Sequence, residues 1–155
     1  MNNTIHSSDD FEGMRKAGNL AASTLDLLVE KVKPGVSTEE LDNIAFDYIV
    51  RHGGLIAPLF YKGYPKSVCT SINHVICHGI PSSRILENGD IVNIDVTVIV
   101  DGWHGDTSRM FPVGKINAKA QKLIDCTFQA MHEGCLLYTS PSPRDISGSR
   151  MPSSA

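Results

Sequence analysis

Apolar residues recur at two different periods along this chain, and the change of period divides it. Between Asp9 and Lys33, the residues Phe11, Met14, Ala17, Leu20, Ala21, Leu25, Leu28 and Val32 fall at the spacing that gives a helix one apolar stripe. That pattern predicts an amphipathic helix ended by Pro34-Gly35. Ser37, with Glu40 three residues on, is a capping-box pattern that opens a second helix. Its stripe is Leu41, Ile44, Ala45, Tyr48 and Ile49, and His52-Gly53-Gly54 closes it.

From Leu55 to Val113 the period shortens to that of strands. Runs rich in β-branched residues at Ser67–Asn73, Val75–His78, Asp90–Val100 and Trp103–Phe111 are separated by Gly, Pro and Asn. Asp101-Gly102 between the last two runs is a strong two-residue hairpin signal. With those residues as the loop, Val100 faces Trp103, Thr97 faces Asp106 and Asp95 faces Ser108. One face then carries Asn93, Asp95, Thr97, His104, Asp106 and Ser108. The other carries Ile94, Val96, Val98, Val100, Trp103 and Phe111.

Asn117 is placed to cap a third helix with Leu123, Ile124, Thr127, Phe128 and Met131 on one face. The segment from Thr139 to Ala155 is rich in Ser and Pro, and the string Leu136 to Asp145 reads like a translated cloning adapter. The expected organisation is a disordered 1–8, a folded 9–135, and a non-native or disordered tail over 136–155.

Composition narrows the class. A chain of 155 residues that is 41% hydrophobic and 20% charged suits a soluble globular domain with a real core. Its net charge of -3 argues against nucleic acid or an anionic membrane as main partner. No apolar run approaches the roughly 20 residues of a membrane helix. Cys69, Cys77, Cys126 and Cys135 are too irregularly spaced for a disulfide scaffold, which points to a reducing compartment.

The chemistry concentrates on the hairpin. Asp95 and Asp106 are diagonal neighbours on its polar face, with Cα atoms roughly 7–8 Å apart, so their carboxylates can converge. Aspartate is disfavoured in strands, and two close carboxylates repel unless a cation lies between them. Oxygen ligands of this kind favour Mn, Mg, Ca, Fe or Co over a thiolate zinc site. The simpler alternative is a hairpin with a wet outer face. Upstream, His78 sits before Gly79 where a strand is expected to end, a position from which an imidazole can reach a ligand. A structural role is its alternative. Cys69, His74, Cys77 and His78 fit no standard zinc spacing, because Cys77 and His78 are adjacent. Tyr61, Tyr64 and Cys69 can line a small apolar pocket or simply pack. Lys66 and Arg84 read as solvated surface charges.

Taken in order, Tyr61 to Cys69 (YKGYPKSVC), Asn73 to Pro81 (NHVICHGIP), Gly89 to Thr97 (GDIVNIDVT) and Asp101 to Ser108 (DGWHGDTS) resemble type I methionine aminopeptidases. The resemblance spans roughly Asp9 to Gly134, about the first half of such an enzyme. It implies an α/β (α+β) chain with the first half of the pita-bread (creatinase/aminopeptidase-like) fold, its helices packed on a curved, mainly antiparallel sheet. The implied activity is removal of the initiator methionine from nascent polypeptides, using two divalent metal ions (Co, Mn, Fe, Zn or Ni). By position, Asp95 and Asp106 match metal ligands and His78 the imidazole that contacts substrate near the scissile amide. Tyr61, Tyr64 and Cys69 match the methionine side-chain pocket. The resemblance further implies a cytoplasmic enzyme, monomeric when complete, with nascent chains and the ribosome as expected partners.

The family's remaining ligands, one His and two Glu, belong to its second half and have no match here. The expectation is therefore a truncated and inactive fragment. Two other readings stay open: a prolidase-like metallopeptidase, and a non-catalytic half-fold that binds a peptide or a partner.

Overall fold

A computed structural model describes residues 6–137, and the chain divides into two compact units, Met1–Asn117 and Ala118–Ala155. In the first unit, helix α1 spans Ser8–Leu28 and α2 spans Thr38–Arg51. Strands β1 (Leu55–Ile56), β2 (Cys69–Ile72), β3 (Ile91–Val100) and β4 (Trp103–Pro112) form a single antiparallel sheet.

Both helices begin at serine caps. Ser7 and Asp10 form a reciprocal capping box at α1 that the sequence pattern did not single out, while the Ser37 hydroxyl accepts the Glu40 N–H at 3.1 Å. Helix α1 stops about one turn short of the predicted Lys33. Its end tightens into turns in which Lys31 and Val32 donate to the Leu28 carbonyl. Val32 still reaches the core. Phe11 and Met14 were expected on the buried stripe but lie about half exposed, because the packed part of α1 begins at Ala17.

Strand β3 is the spine of the sheet. It pairs along its full length with β4 on one side, and with β1 and β2 in succession on the other. Asp101 (φ 51°) and Gly102 (φ 85°) both occupy the left-handed region, as a two-residue type I′ hairpin loop requires. The register is the predicted one: Val100 opposite Trp103, Thr97 opposite Asp106, and Asp95 opposite Ser108.

The apolar face of β3 (Val92, Ile94, Val96, Val98, Val100) packs with Ala17, Leu20, Ala21, Leu25 and Leu28 of α1 and with Leu41, Ala45 and Ile49 of α2. Gly105 lets α1 seat directly on β4, since a Cβ there would lie 2.3 Å from the Ala17 backbone. Two ion pairs flank that contact, Lys16–Asp101 at 2.5 Å and Arg109–Asp26 at 2.8 Å. With one sheet face buried under helices, the aspartates of the opposite face are left available for chemistry.

One strand prediction fails. Val75–His78 is not a strand but an irregular loop that leaves Ile76 95% exposed. Its β-branched residues find no neighbouring strand, and its backbone follows contacts made at its two ends. In the second unit, α3 spans Ala118–Leu137, immediately after Asn117 as expected. Leu123, Phe128 and Met131 on its predicted apolar face are more than half exposed. Of the expected disordered ends, Ser7 and Ser8 instead cap and open α1 and Leu136 and Leu137 belong to α3, while 1–5 and 138–155 lie outside the described residues. Among the described residues, no helix is long and apolar enough to cross a membrane.

Candidate active site

The polar face of the hairpin forms one wall of an open cavity of about 610 Å³. Asp95, Thr97 and Asp106 come from the hairpin, Cys69 from β2, Tyr61 and Tyr64 from the loop before β2, and His78 from the loop after it. Every residue singled out for function on the sequence reaches this cavity. Among the described residues no group of three His, Cys, Asp or Glu side chains is arranged around a metal position.

The hairpin register places the two aspartates. Asp95 is half-buried, and its carboxyl is pushed above the usual range, first by burial and next by the neighbouring Asp106 charge. His78 pulls the other way. Thr97 lies directly opposite Asp106 and donates its hydroxyl to Asp106 Oδ1 at 3.1 Å, which fixes that carboxylate's orientation. A carboxylate whose ionisation is opposed by burial and by a second carboxylate beside it, both facing a cavity, suits a hard divalent cation. The donor chemistry therefore fits a metal, but as a partial ligand set.

The apolar wall is built from protonated groups. Cys69, opposite Asp95 on the neighbouring strand, is buried, and that burial raises its thiol pKa. A thiol held protonated is a poor metal ligand but a good soft surface. Burial likewise drives the Tyr64 phenol well above its usual range. The Tyr64 hydroxyl lies 2.9 Å from the Val68 carbonyl and 3.1 Å from that of Gly79, so it ties the start of β2 to the loop that carries His78. Tyr61 is 65% exposed at the cavity mouth, as an edge more than a floor.

His78 is held by its neighbours. It has φ 55°, in the left-handed region, which a non-glycine residue keeps only where the surroundings fix it. Gly79 supplies that hold: its carbonyl accepts Thr70 N–H at 2.7 Å and its N–H donates to Ser71 Oγ at 3.2 Å. A Cβ on Gly79 would fall 2.2 Å from the Thr70 carbonyl oxygen, so only glycine permits this approach. At the other end of the loop Asn73 (φ 52°) forms a clip. Its Oδ1 accepts Ile91 N–H at 3.0 Å, and its amide donates to Asp90 at 2.8 Å. Burial works against the Asp90 charge, but the Glu87 N–H, the Asn73 amide and Arg84 outweigh it and lower its pKa.

Two further residues escaped the sequence reading. Asp42 of α2 is buried and accepts Ser67 N–H at 2.7 Å and Val68 N–H at 3.1 Å, anchoring the entry to β2. No local signal marks it, since an Asp on a helix reads as surface. Lys62, between the quoted Tyr61 and Tyr64, also lines the cavity. The reading of Lys66 as a solvated charge needs correction, whereas Arg84 is the exposed surface charge expected. Lys66, only 23% exposed, pairs with Glu39 at 2.7 Å, and Arg84 contacts Glu87 and Asp90.

A chain with helices on one face of an antiparallel sheet and paired aspartates on the other has the build of a metallopeptidase half-site. The sequence pattern of metallopeptidase family M24 matches residues 12–140, and the chain belongs to that family. Within it, the chain is similar to the methionine aminopeptidase of Rickettsia prowazekii (strain Madrid E), with 57% identity over 130 residues. That alignment covers 84% of this chain and 50% of the relative. The crystal structure of methionine aminopeptidase from Rickettsia prowazekii superposes with a TM-score of 0.83 at 56% identity, over 84% of this chain and 53% of that one. Prolidase from Pyrococcus furiosus shares the fold alone, with a TM-score of 0.68 at 21% identity over 81% of this chain and 36% of the other. The fold is thus the pita-bread type of the family, and the chain spans about half the length of the curated relatives it matches.

Proposed function

We propose that this chain supplies the half-site of a methionine aminopeptidase that binds the substrate's amino-terminal residue and two of the metal ligands. The observation that carries the proposal is the hairpin register, which sets Asp95 and Asp106 in one cavity with His78 beside a thiol- and phenol-lined wall. The proposed substrates are nascent polypeptide N-termini in the cytoplasm, with ribosome docking as a possible setting and neither nucleic acid nor membrane as a direct partner.

Asp95 and Asp106 would hold divalent ions, with Thr97 fixing the orientation of the Asp106 carboxylate. Bound there, such ions supply Lewis acidity and lower the pKa of water. The chain's own residues do the rest of the binding. His78 presents an imidazole from which a hydrogen bond to the substrate's first amide orients the scissile bond. Cys69 and Tyr64, kept protonated by burial, give the flexible thioether of methionine a polarisable surface that does not compete for metal. Two carboxylates are fewer ligands than a two-metal centre uses, so the 155-residue chain alone is expected to be inactive and poorly soluble.

The test is a chimera in which residues 9–135 replace the matching half of the Rickettsia prowazekii relative. It should release methionine from a Met-Ala-Ser peptide with Mn or Co, and the Asp95→Asn version should not. A folded chimera that cleaves Xaa-Pro dipeptides instead would establish the prolidase-like reading. Methionine release by the isolated chain would refute its expected inactivity. A soluble, cooperatively melting chain that binds peptide but does not restore the chimera would favour a binding module.

A further inference from the structure

We propose that Lys62 is a specificity-determining residue, a cation at the cavity mouth that favours peptides bearing a carboxylate one or two residues beyond the amino-terminal residue. The inference rests on the reading of the cavity as a methionyl-peptide site.

The charges around the cavity are sorted. Asp95 and Asp106 stand on the sheet wall, whereas the loops flanking β2 contribute Lys62 and His78. A lysine in the loop wall, across from the sheet wall, suits a ligand that is negative at the end away from the aspartates. A cavity of about 610 Å³ lies within the 300–1,000 Å³ range of ligand sites and exceeds what one amino-acid residue fills, so a bound peptide extends past its first residue. With the amino-terminal residue at the sheet wall, the later residues run toward the loops that carry Lys62 and His78.

Lys62 is not engaged elsewhere. Lys16 and Lys66 have carboxylate partners at 2.5 and 2.7 Å. Lys62 has none among the described residues, and its ammonium lies over the exposed Tyr61 ring, 5.4 Å from the centroid. Its backbone is held in the left-handed region (φ 48°) inside a tight 3-10 turn over Tyr61–Gly63. Phe60 N–H donates to the Tyr64 carbonyl at 2.7 Å across this turn, and Tyr64 N–H to the Tyr61 carbonyl at 3.0 Å. A lysine held in a conformation that suits glycine or asparagine, at the lip of a cavity, is an outlier of the kind that gathers at ligand sites. Of the five non-glycine residues with positive φ among the described residues, Lys62 and His78 are the two that line the cavity.

The effect is that of one exposed ion pair, about two- to fivefold in affinity. Binding is read as KM for methionine release by the chimera described above, with Mn²⁺, for three probes: Met-Ala-Ser-amide, Met-Ala-Asp-amide and Met-Ala-Ser with a free C-terminus. The two carboxylate peptides should bind about two- to fivefold more tightly than the neutral one. Comparing them shows whether a side chain or the chain terminus is the better source. The preference should persist in Lys62→Arg, vanish in Lys62→Gln and in roughly 1 M salt, and reverse in Lys62→Glu. A variant that merely disturbs the loop would weaken all three probes equally and leave their ratio unchanged, which would overturn the proposal. Equal binding of all three probes by the unmodified chimera would overturn it too, while leaving the methionyl-peptide reading intact. Failure of even the neutral probe to bind would sink both.

Discussion

The hairpin and the 73–80 loop each deliver part of one site, but by opposite means. The hairpin is held by its own sequence: Asp101-Gly102 makes the turn, β-branched residues make the strands, and alternation sends Asp95 and Asp106 to one face. The loop is held from outside. Asn73 clips one end to β3, while Gly79 and the Tyr64 hydroxyl pin the other to β2. The carboxylates are therefore placed by local rules, and the imidazole by a few non-local hydrogen bonds. The contrast teaches that the carboxylate half of the site is intrinsically robust and the imidazole half is conditional.

Two glycine substitutions test this most sharply. Gly105→Ala drives a Cβ into the α1 backbone at the centre of the fold and should cost about 3 kcal/mol or more of global stability in a urea melt. Gly79→Ala meets the Thr70 carbonyl and should cost roughly 1–3 kcal/mol. The loss of amide-exchange protection should concentrate at 70–80 and leave β3–β4 protected. If Gly79→Ala loosened the hairpin equally, the two regions would not be independent.

Metal binding should act on the hairpin alone. Mn²⁺ at about one hundred times its dissociation constant should raise stability by about 2.7 kcal/mol, and Asp95→Asn or Asp106→Asn should remove that gain. Asn73→Ala, which leaves Asp90 with one donor fewer, should cost about 1–3 kcal/mol while leaving the metal response in place.

The smallest effect is in pH dependence, where the two regions have opposite signs. In chelator, the raised Asp95 pKa means that the folded chain binds more protons than the unfolded one above the ordinary carboxylate value near 3.8. Its contribution is then present at low pH and lost as pH rises through the folded pKa, so Asp95→Asn should stabilise the metal-free chain at pH 7. Asp90 is lowered, so its contribution is present above about 3.8 and lost as pH falls through its folded pKa. A stability profile from pH 3 to 7 for Asp95→Asn and Asp90→Asn should show the two slopes diverging.

This division also explains what the sequence made legible. Turn chemistry and alternation specified the hairpin register and hence both aspartates. The serine caps and apolar stripes located the helices. What did not show was set by distant partners. Val75–His78 carries β-branched residues, yet its conformation belongs to Asn73 and Gly79, so it reads as a strand and folds as a loop. Asp42 looks like a surface residue until Ser67 and Val68 bring their N–H groups to it. Lys62 stood in view between two tyrosines, but only the left-handed turn shows it as part of the cavity mouth.

The seating of α1 on Gly105 bears on how the chain is made. Lys16 and Asp101 are 85 positions apart, so during synthesis α1 emerges long before the strand that covers its stripe. At roughly 5–20 residues per second, that interval is on the order of 4–17 s. The hairpin, once made, closes in about 1–10 μs. Through most of that interval α2 is the only part of the core that α1 can pack against, and the face that will meet Gly105 waits for its strand.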